Sequence, residues 1–288
     1  MACRPRANPG LVPVNLTPDG TRYLAMGRGR PAPKPFHLRW LMPWLCRDVY
    51  RRWMTATAVS WILAAIGTAF LADGWERGVA AAVMFAALPG MRCLLRCPVT
   101  VDLPALACAV WAAVAWGHGL SAVAVLLVVV GAACKESAPV FAALFAWTPV
   151  LLVGLVVVAI RWAFWRPCAV AHDPMRAFPS NTSHAEHAWI LEHPFAAGWK
   201  YHRQKLFDGL TMVTPWGAAI VALAGLDVQL GVLLLVAYGQ LAVATDSVRL
   251  YQWAAPLMCV VACTVVPVAW LPVLVVVTVW NPLAGNGV

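Results

Sequence analysis

From residue 54 onward the chain is a succession of long apolar runs separated by short polar stretches. The runs lie at about 54–72, 78–95, 101–117, 119–134, 138–160, 209–225, 228–244, 249–266 and 268–281. Segments such as Val123–Gly131 and Leu151–Ile160 are continuous in Ala, Val, Leu and Ile and lack the two-residue alternation of a barrel strand. A backbone in lipid must satisfy its own polar groups, so helices remain once a barrel is set aside. The pattern predicts an all-α, polytopic membrane bundle with eight or nine crossings. Several runs are shorter than the roughly 20 residues that cross about 30 Å of hydrocarbon. Pro89-Gly90, Pro104, Pro215, Pro256, Pro267 and Pro272 lie in or beside them, so short, broken or re-entrant helices around a polar cavity are expected.

The polar stretches set the organisation: a basic N-terminal segment (1–53), a first helix bundle (54–160), a polar loop (161–208), a second bundle (209–281) and a tail (282–288). In the first segment Pro18-Asp19-Gly20 is a turn signal opening a short helix. Pro35–Cys46 interleaves aromatic, basic and apolar residues, as a segment lying in the membrane interface does. No apolar core of a cleavable signal peptide precedes it.

Composition agrees with the pattern. The chain is 62% hydrophobic and only 11% charged, against about 25% charged in soluble domains. Its charge is unevenly spread: ten of the 21 Lys and Arg fall within residues 1–53, beside only Asp19 and Asp48. Such a segment suits anionic membrane lipids. Nucleic acid is not expected as a partner, since no binding motif accompanies the charge. The nine cysteines are scattered without a CxxC spacing and read as small packing residues. His184-Ala-Glu-His187 is not the HExxH arrangement, so no metal is expected; the absence of GxGxxG, P-loop and GxSxG patterns leaves no cofactor either. The sequons at Asn15 and Asn181 are three-residue patterns and carry no weight.

The candidate chemistry sits where charge interrupts the apolar runs. Between Arg96 and Arg161 lie 64 residues whose only formal charges are Asp102, Lys135 and Glu136. An isolated charge in hydrocarbon costs roughly 2.5–3.5 kcal/mol on insertion scales, which makes Lys135 and Glu136 candidate functional residues. The competing reading is a polar turn between two helices, with Lys135 snorkelling to the headgroups. Asp102, at the start of a run, reads as an acid favoured by the helix dipole. Asp19/Arg22 and Asp246/Arg249 share an i,i+3 spacing that places each pair on one helix face, and each is followed by a tyrosine, Tyr23 and Tyr251.

The ordered set Asp19-Gly-Thr-Arg-Tyr23, Pro35-Phe-His-Leu-Arg-Trp-Leu-Met-Pro-Trp44, Pro98-Val-Thr-Val-Asp102, Lys135-Glu-Ser137 and Thr245-Asp-Ser-Val-Arg249 resembles the polytopic glycosyltransferases of the GT-C superfamily, in particular bacterial or phage-borne membrane proteins. The resemblance implies transfer of a sugar from a polyprenyl-phosphate donor to an envelope or protein acceptor at the bacterial inner membrane. It implies Asp19 and Glu136 as catalytic carboxylates, and Arg22, Lys135, Asp246 and Arg249 as residues holding the substrate. Relatives carry a membrane helix ahead of the loop bearing the acid, and no stretch before Asp19 is long and apolar enough to be one. The rival expectation is a non-enzymatic membrane protein, a transporter, lipid-binding or envelope-modifying protein, whose charges support the fold or a permeation path.

Overall fold

A computed structural model describes residues 17–169, 189–207, 214–242 and 252–280. Asp246 and Arg249, the sequon asparagines Asn15 and Asn181 and the His184/His187 pair lie outside the described residues. Every regular element among those described is helical, as the apolar pattern requires.

The first helix, α1 (Pro18–Gly27), starts where the turn signal lies. Thr17 is extended, and its Oγ1 accepts from the Gly20 N–H at 3.1 Å. Pro18 takes the position whose N–H would be unpaired anyway, and Asp19 adds a favourable charge to the first turn. The interfacial stretch that follows forms a 3-10 turn, Phe36–Leu38, and a short helix α2 (Leu41–Cys46). The first bundle comprises α3 (Tyr50–Phe70), α4 (Trp75–Ala87), α5 (Pro89–Arg96), α6 (Asp102–Gly117), α7 (Ser121–Cys134), α8 (Ala138–Phe145) and α9 (Leu155–Phe164). Beyond it come α10 (Pro194–Phe207), a 3-10 stretch Thr214–Gly225, α11 (Val228–Gly239), α12 (Ala255–Val265) and α13 (Leu271–Val279).

Proline sets the breaks. Leu88, Thr148 and Val266 each precede a proline and are extended, with ψ of 144°, 132° and 132°. The run expected as one span at 138–160 therefore stops at Phe145, turns through Thr148 and restarts as a 3-10 turn, Pro149–Gly154, that leads into α9. Gln229 closes the broken end of α8, its Nε2 donating to the carbonyls of Leu144 and Phe145 at 2.7 and 3.0 Å. Asp227, between two apolar runs, caps α11 by accepting from the Leu230 N–H at 2.7 Å.

These breaks change the count of crossings. Among the described residues one helix, α3, is long and apolar enough to cross a membrane. The number rises to three if α4 with α5 (bent by 54°) and α12 with Val268–Val279 (bent by 118°) each count as one span. Five further apolar helices have 10–17 residues, and α8 has eight. One face of α3 carries Met54, Val59, Ile62, Leu63, Ile66 and Phe70, all between 42% and 59% exposed, an uncovered apolar stripe that water-soluble monomers rarely show.

The core is centred on α6, which is buried along most of its length and packs against α3, α7 and α8. α12 packs on α4 and the 214–225 stretch, and α13 on α4. The N-terminal segment lies on this bundle through α1 and α2, and the two helices touch closely at Gly27. A Cβ there would come within 2.4 Å of the Arg47 carbonyl carbon. Gly27→Ala is expected to destabilise the fold by about 1–3 kcal/mol. A lowered thermal midpoint would show it, with Gly117→Ala, which meets nothing within 4 Å, as the control.

Candidate functional site

The site begins at the break between α7 and α8. Pro139 has no N–H for the Lys135 carbonyl four residues before it, and its ring would collide with that carbonyl in an unbroken helix. α7 accordingly ends at Cys134, Lys135 is extended (φ −154°, ψ 134°) and α8 starts at Ala138. The two adjacent charges then go to different partners.

Lys135 is buried and turned inward rather than out to a headgroup. Its Nζ donates to Asp102 Oδ1 and stands 5.3 Å from the centre of the Trp253 ring. Asp102 does open α6 as expected of a first-turn acid, but it also carries this second task. Its Oδ2 accepts from Thr100 Oγ1 at 2.6 Å, and Thr57 of α3 donates to the Pro98 carbonyl at 2.6 Å, fixing the loop that carries both residues. A buried carboxylate with a lysine and a hydroxyl on its two oxygens satisfies the demand that low-dielectric surroundings make of a charge.

Glu136 faces the N-terminal segment and is bound side-on by Arg39. Nε reaches Oε2 at 2.8 Å and Nη2 reaches Oε1 at 2.5 Å, the two-pronged geometry that only guanidinium offers. The third arm of Arg39 donates from Nη1 to the Tyr23 hydroxyl at 3.0 Å. Burial by itself would raise the Glu136 carboxyl, but Arg39 outweighs it and holds the group below its ordinary range. Tyr23 is sealed between Trp53, stacked at 6.0 Å, and Phe36, edge-on at 5.7 Å; burial drives its hydroxyl far up and Arg39 only partly offsets this.

Next to Tyr23 on α1, Arg22 meets Asp19 at 3.4 Å, and its guanidinium lies 4.6 Å from the Phe36 ring centre, where Arg39 also approaches at 5.2 Å. Arg22 is buried, whereas Asp19 keeps 21% of its side chain exposed. Asp19, Arg22, Tyr23, Arg39, Glu136, Lys135 and Asp102 thus form one contiguous set, drawn from α1, the 36–40 segment, the start of α6 and the α7–α8 break.

Of the residues expected from sequence, Asp19, Arg22, Lys135 and Glu136 are brought together, and Asp246 and Arg249 fall outside the described residues. Sequence reasoning passed over Arg39, the hub that joins Glu136 to Tyr23, because basic residues in an aromatic segment already had an explanation at the membrane interface. It also gave Asp102 only a local role. Charge balance was the available signal: one lysine and two acids in 64 apolar residues need each other and one more cation. No family model, curated protein or solved structure matches the chain.

Proposed function

We propose that the chain is a membrane glycosyltransferase of the GT-C kind, taking a sugar from a polyprenyl-phosphate donor at the bacterial inner membrane. In this reading the shorter apolar helices are tilted or re-entrant crossings of a polytopic bundle, since a 10–17-residue helix covers less than the roughly 30 Å of hydrocarbon. The observation that carries the reading is the convergence of four motifs, with Arg39 and Glu136 97 residues apart, on one charged set at the edge of the apolar bundle. Asp19 is the base: its contact to Arg22, at 3.4 Å, is longer than either contact that Arg39 makes to Glu136, both of whose oxygens are taken. The acceptor hydroxyl attacks the anomeric carbon, the carbon–oxygen bond to the lipid phosphate breaks, and the acceptor's proton passes to Asp19. Positive charge from the arginines near α1 offsets the charge that grows on the departing phosphate. Glu136 positions Arg39, and Lys135 with Asp102 holds the helix break in shape.

A second reading is favoured by a specific observation: Asp19, Asp102 and Glu136 each face a cation. A set balanced in this way serves equally as a clamp that fastens the N-terminal segment to the bundle in a non-enzymatic membrane protein. Purified full-length chain given polyprenyl-phosphate sugar and a membrane extract as acceptor source separates the two. Transfer that Asp19→Asn abolishes without unfolding supports the enzyme; no turnover by the wild-type chain, with each substitution only lowering stability, would leave the clamp.

A further inference from the structure

Beside the ion-pair set lies a cleft of about 460 Å³ that none of these carboxylates lines. The 36–40 segment divides the two: Phe36 and Arg39 face the ion pairs, whereas His37 and Trp40 line the cleft. Four arginines, Arg30, Arg47, Arg161 and Arg166, stand around it, and among the described residues no Asp or Glu does. Among the described residues none of the four forms an ion pair, and Asp48, the acid next to Arg47, is taken by Arg28 at 3.0 Å. Arg161 is held in place rather than neutralised. Its guanidinium lies 3.8 Å from the Trp165 ring centre, and its Nε donates to the His37 carbonyl at 3.2 Å. His37 itself is 5% exposed, and its Nδ1 has no hydrogen-bond partner. A buried ring nitrogen left unpaired on the wall of a cleft whose charged lining is all arginine calls for an explanation, and a ligand supplies one.

The surroundings say what kind of ligand. α9 leads into the cleft with Val156, Ile160 and Phe164, successive turns of one face and all at least half exposed, an apolar face left open among the described residues. It ends in Arg161, Trp165 and Arg166, and Trp44 stands exposed across the opening. Apolar residues giving way to tryptophan and arginine mark the depth of a bilayer's headgroups.

We propose that this cleft binds the phosphate group of an anionic phospholipid, the arginines gripping the phosphate while the acyl chains lie along the exposed face of α9. A planar guanidinium fork matches two phosphate oxygens, and basic groups at that depth are each worth about a fivefold gain in binding to anionic lipid. The site is separate from the proposed sugar-transfer residues and does not rest on the glycosyltransferase reading.

Native mass spectrometry of the full-length protein in detergent tests it, with phosphatidylglycerol, phosphatidylcholine and inorganic phosphate titrated separately. Phosphatidylglycerol is expected to bind at least tenfold more tightly than phosphatidylcholine. The double variant R30Q/R166Q removes two exposed arginines and is expected to weaken phosphatidylglycerol binding by roughly 25-fold, at about fivefold per charge. Should the double variant melt early, the single variants carry the test at about fivefold each. Equal retention of phosphatidylglycerol by wild type and variants would overturn the proposal. So would binding of inorganic phosphate with no preference between the two lipids, which would assign the cleft to a soluble anion. No sugar donor is present in this experiment, so its failure and the failure of the transfer reading are read separately.

Discussion

Replacing Lys135 by methionine is expected to cost the fold about 3–5 kcal/mol, the usual penalty for stripping one partner from a buried ion pair. Methionine keeps the length and apolar stem of lysine, so packing against Trp253 largely survives and the loss comes from Asp102. That carboxylate is 3% exposed, opens α6 and would lose its cation while keeping the Thr100 hydroxyl. Asp102→Asn should cost a comparable amount, this time by leaving the ammonium unpaired. The double variant D102L/K135M is expected to recover most of the loss, because exchanging a whole buried pair for apolar groups is often neutral or better. Unfolding midpoints in matched detergent would show this pattern. A loss below about 1 kcal/mol for either single change would mean that the pair is solvated.

Asp19→Asn is expected to lower sugar transfer by about 10²–10⁴-fold, the range associated with losing a positioned proton acceptor. Its effect on stability should stay near or below 1 kcal/mol. The contact with Arg22 is long, at 3.4 Å, and asparagine at this place keeps the shape and an oxygen that can accept from Arg22 while giving up the charge. A large kinetic effect on a small structural one is what separates a base from a clamp. Transfer at the wild-type rate in Asp19→Asn would remove Asp19 from the chemistry.

Much of the fold was legible because it depends on local rules. The apolar runs gave the helices, the Pro18-Asp19-Gly20 signal gave the start of α1, and Pro89 and Pro267 gave the breaks at Leu88 and Val266. The number of crossings was not legible. A hydropathy run says how much apolar chain there is, not whether one helix spans it, and Pro149 divides the longest run between α8 and α9. The site was half legible for a similar reason. Lys135 and Glu136 stood out because charge is scarce around them, but adjacency suggested one shared destination. The extended backbone at Lys135 sends them to two, Asp102 and Arg39. Asp102 already satisfied a local rule as a first-turn acid, which hid its pairing across 33 residues. Arg39 was hidden by its neighbours, since an arginine between Phe36 and Trp40 is ordinary at a membrane surface. The cleft with its four arginines had no sequence signature, because Arg30 and Arg47 are separated from Arg161 and Arg166 by most of the first bundle.

The joining of the N-terminal segment to the helix break through Arg39 and Glu136 is the claim on which the shared site rests. A double-mutant cycle measures it: unfolding free energies at pH 7 for the wild-type chain, Arg39→Gln, Glu136→Gln and the double variant. At that pH Glu136 is ionised, since a carboxyl held below its ordinary range loses its stabilising contribution only as the pH falls through its folded-state value. Two charge-assisted hydrogen bonds across the pair predict a coupling of about 1.5–3 kcal/mol. Single effects that add to within about 0.5 kcal/mol would contradict it and separate the two halves of the site.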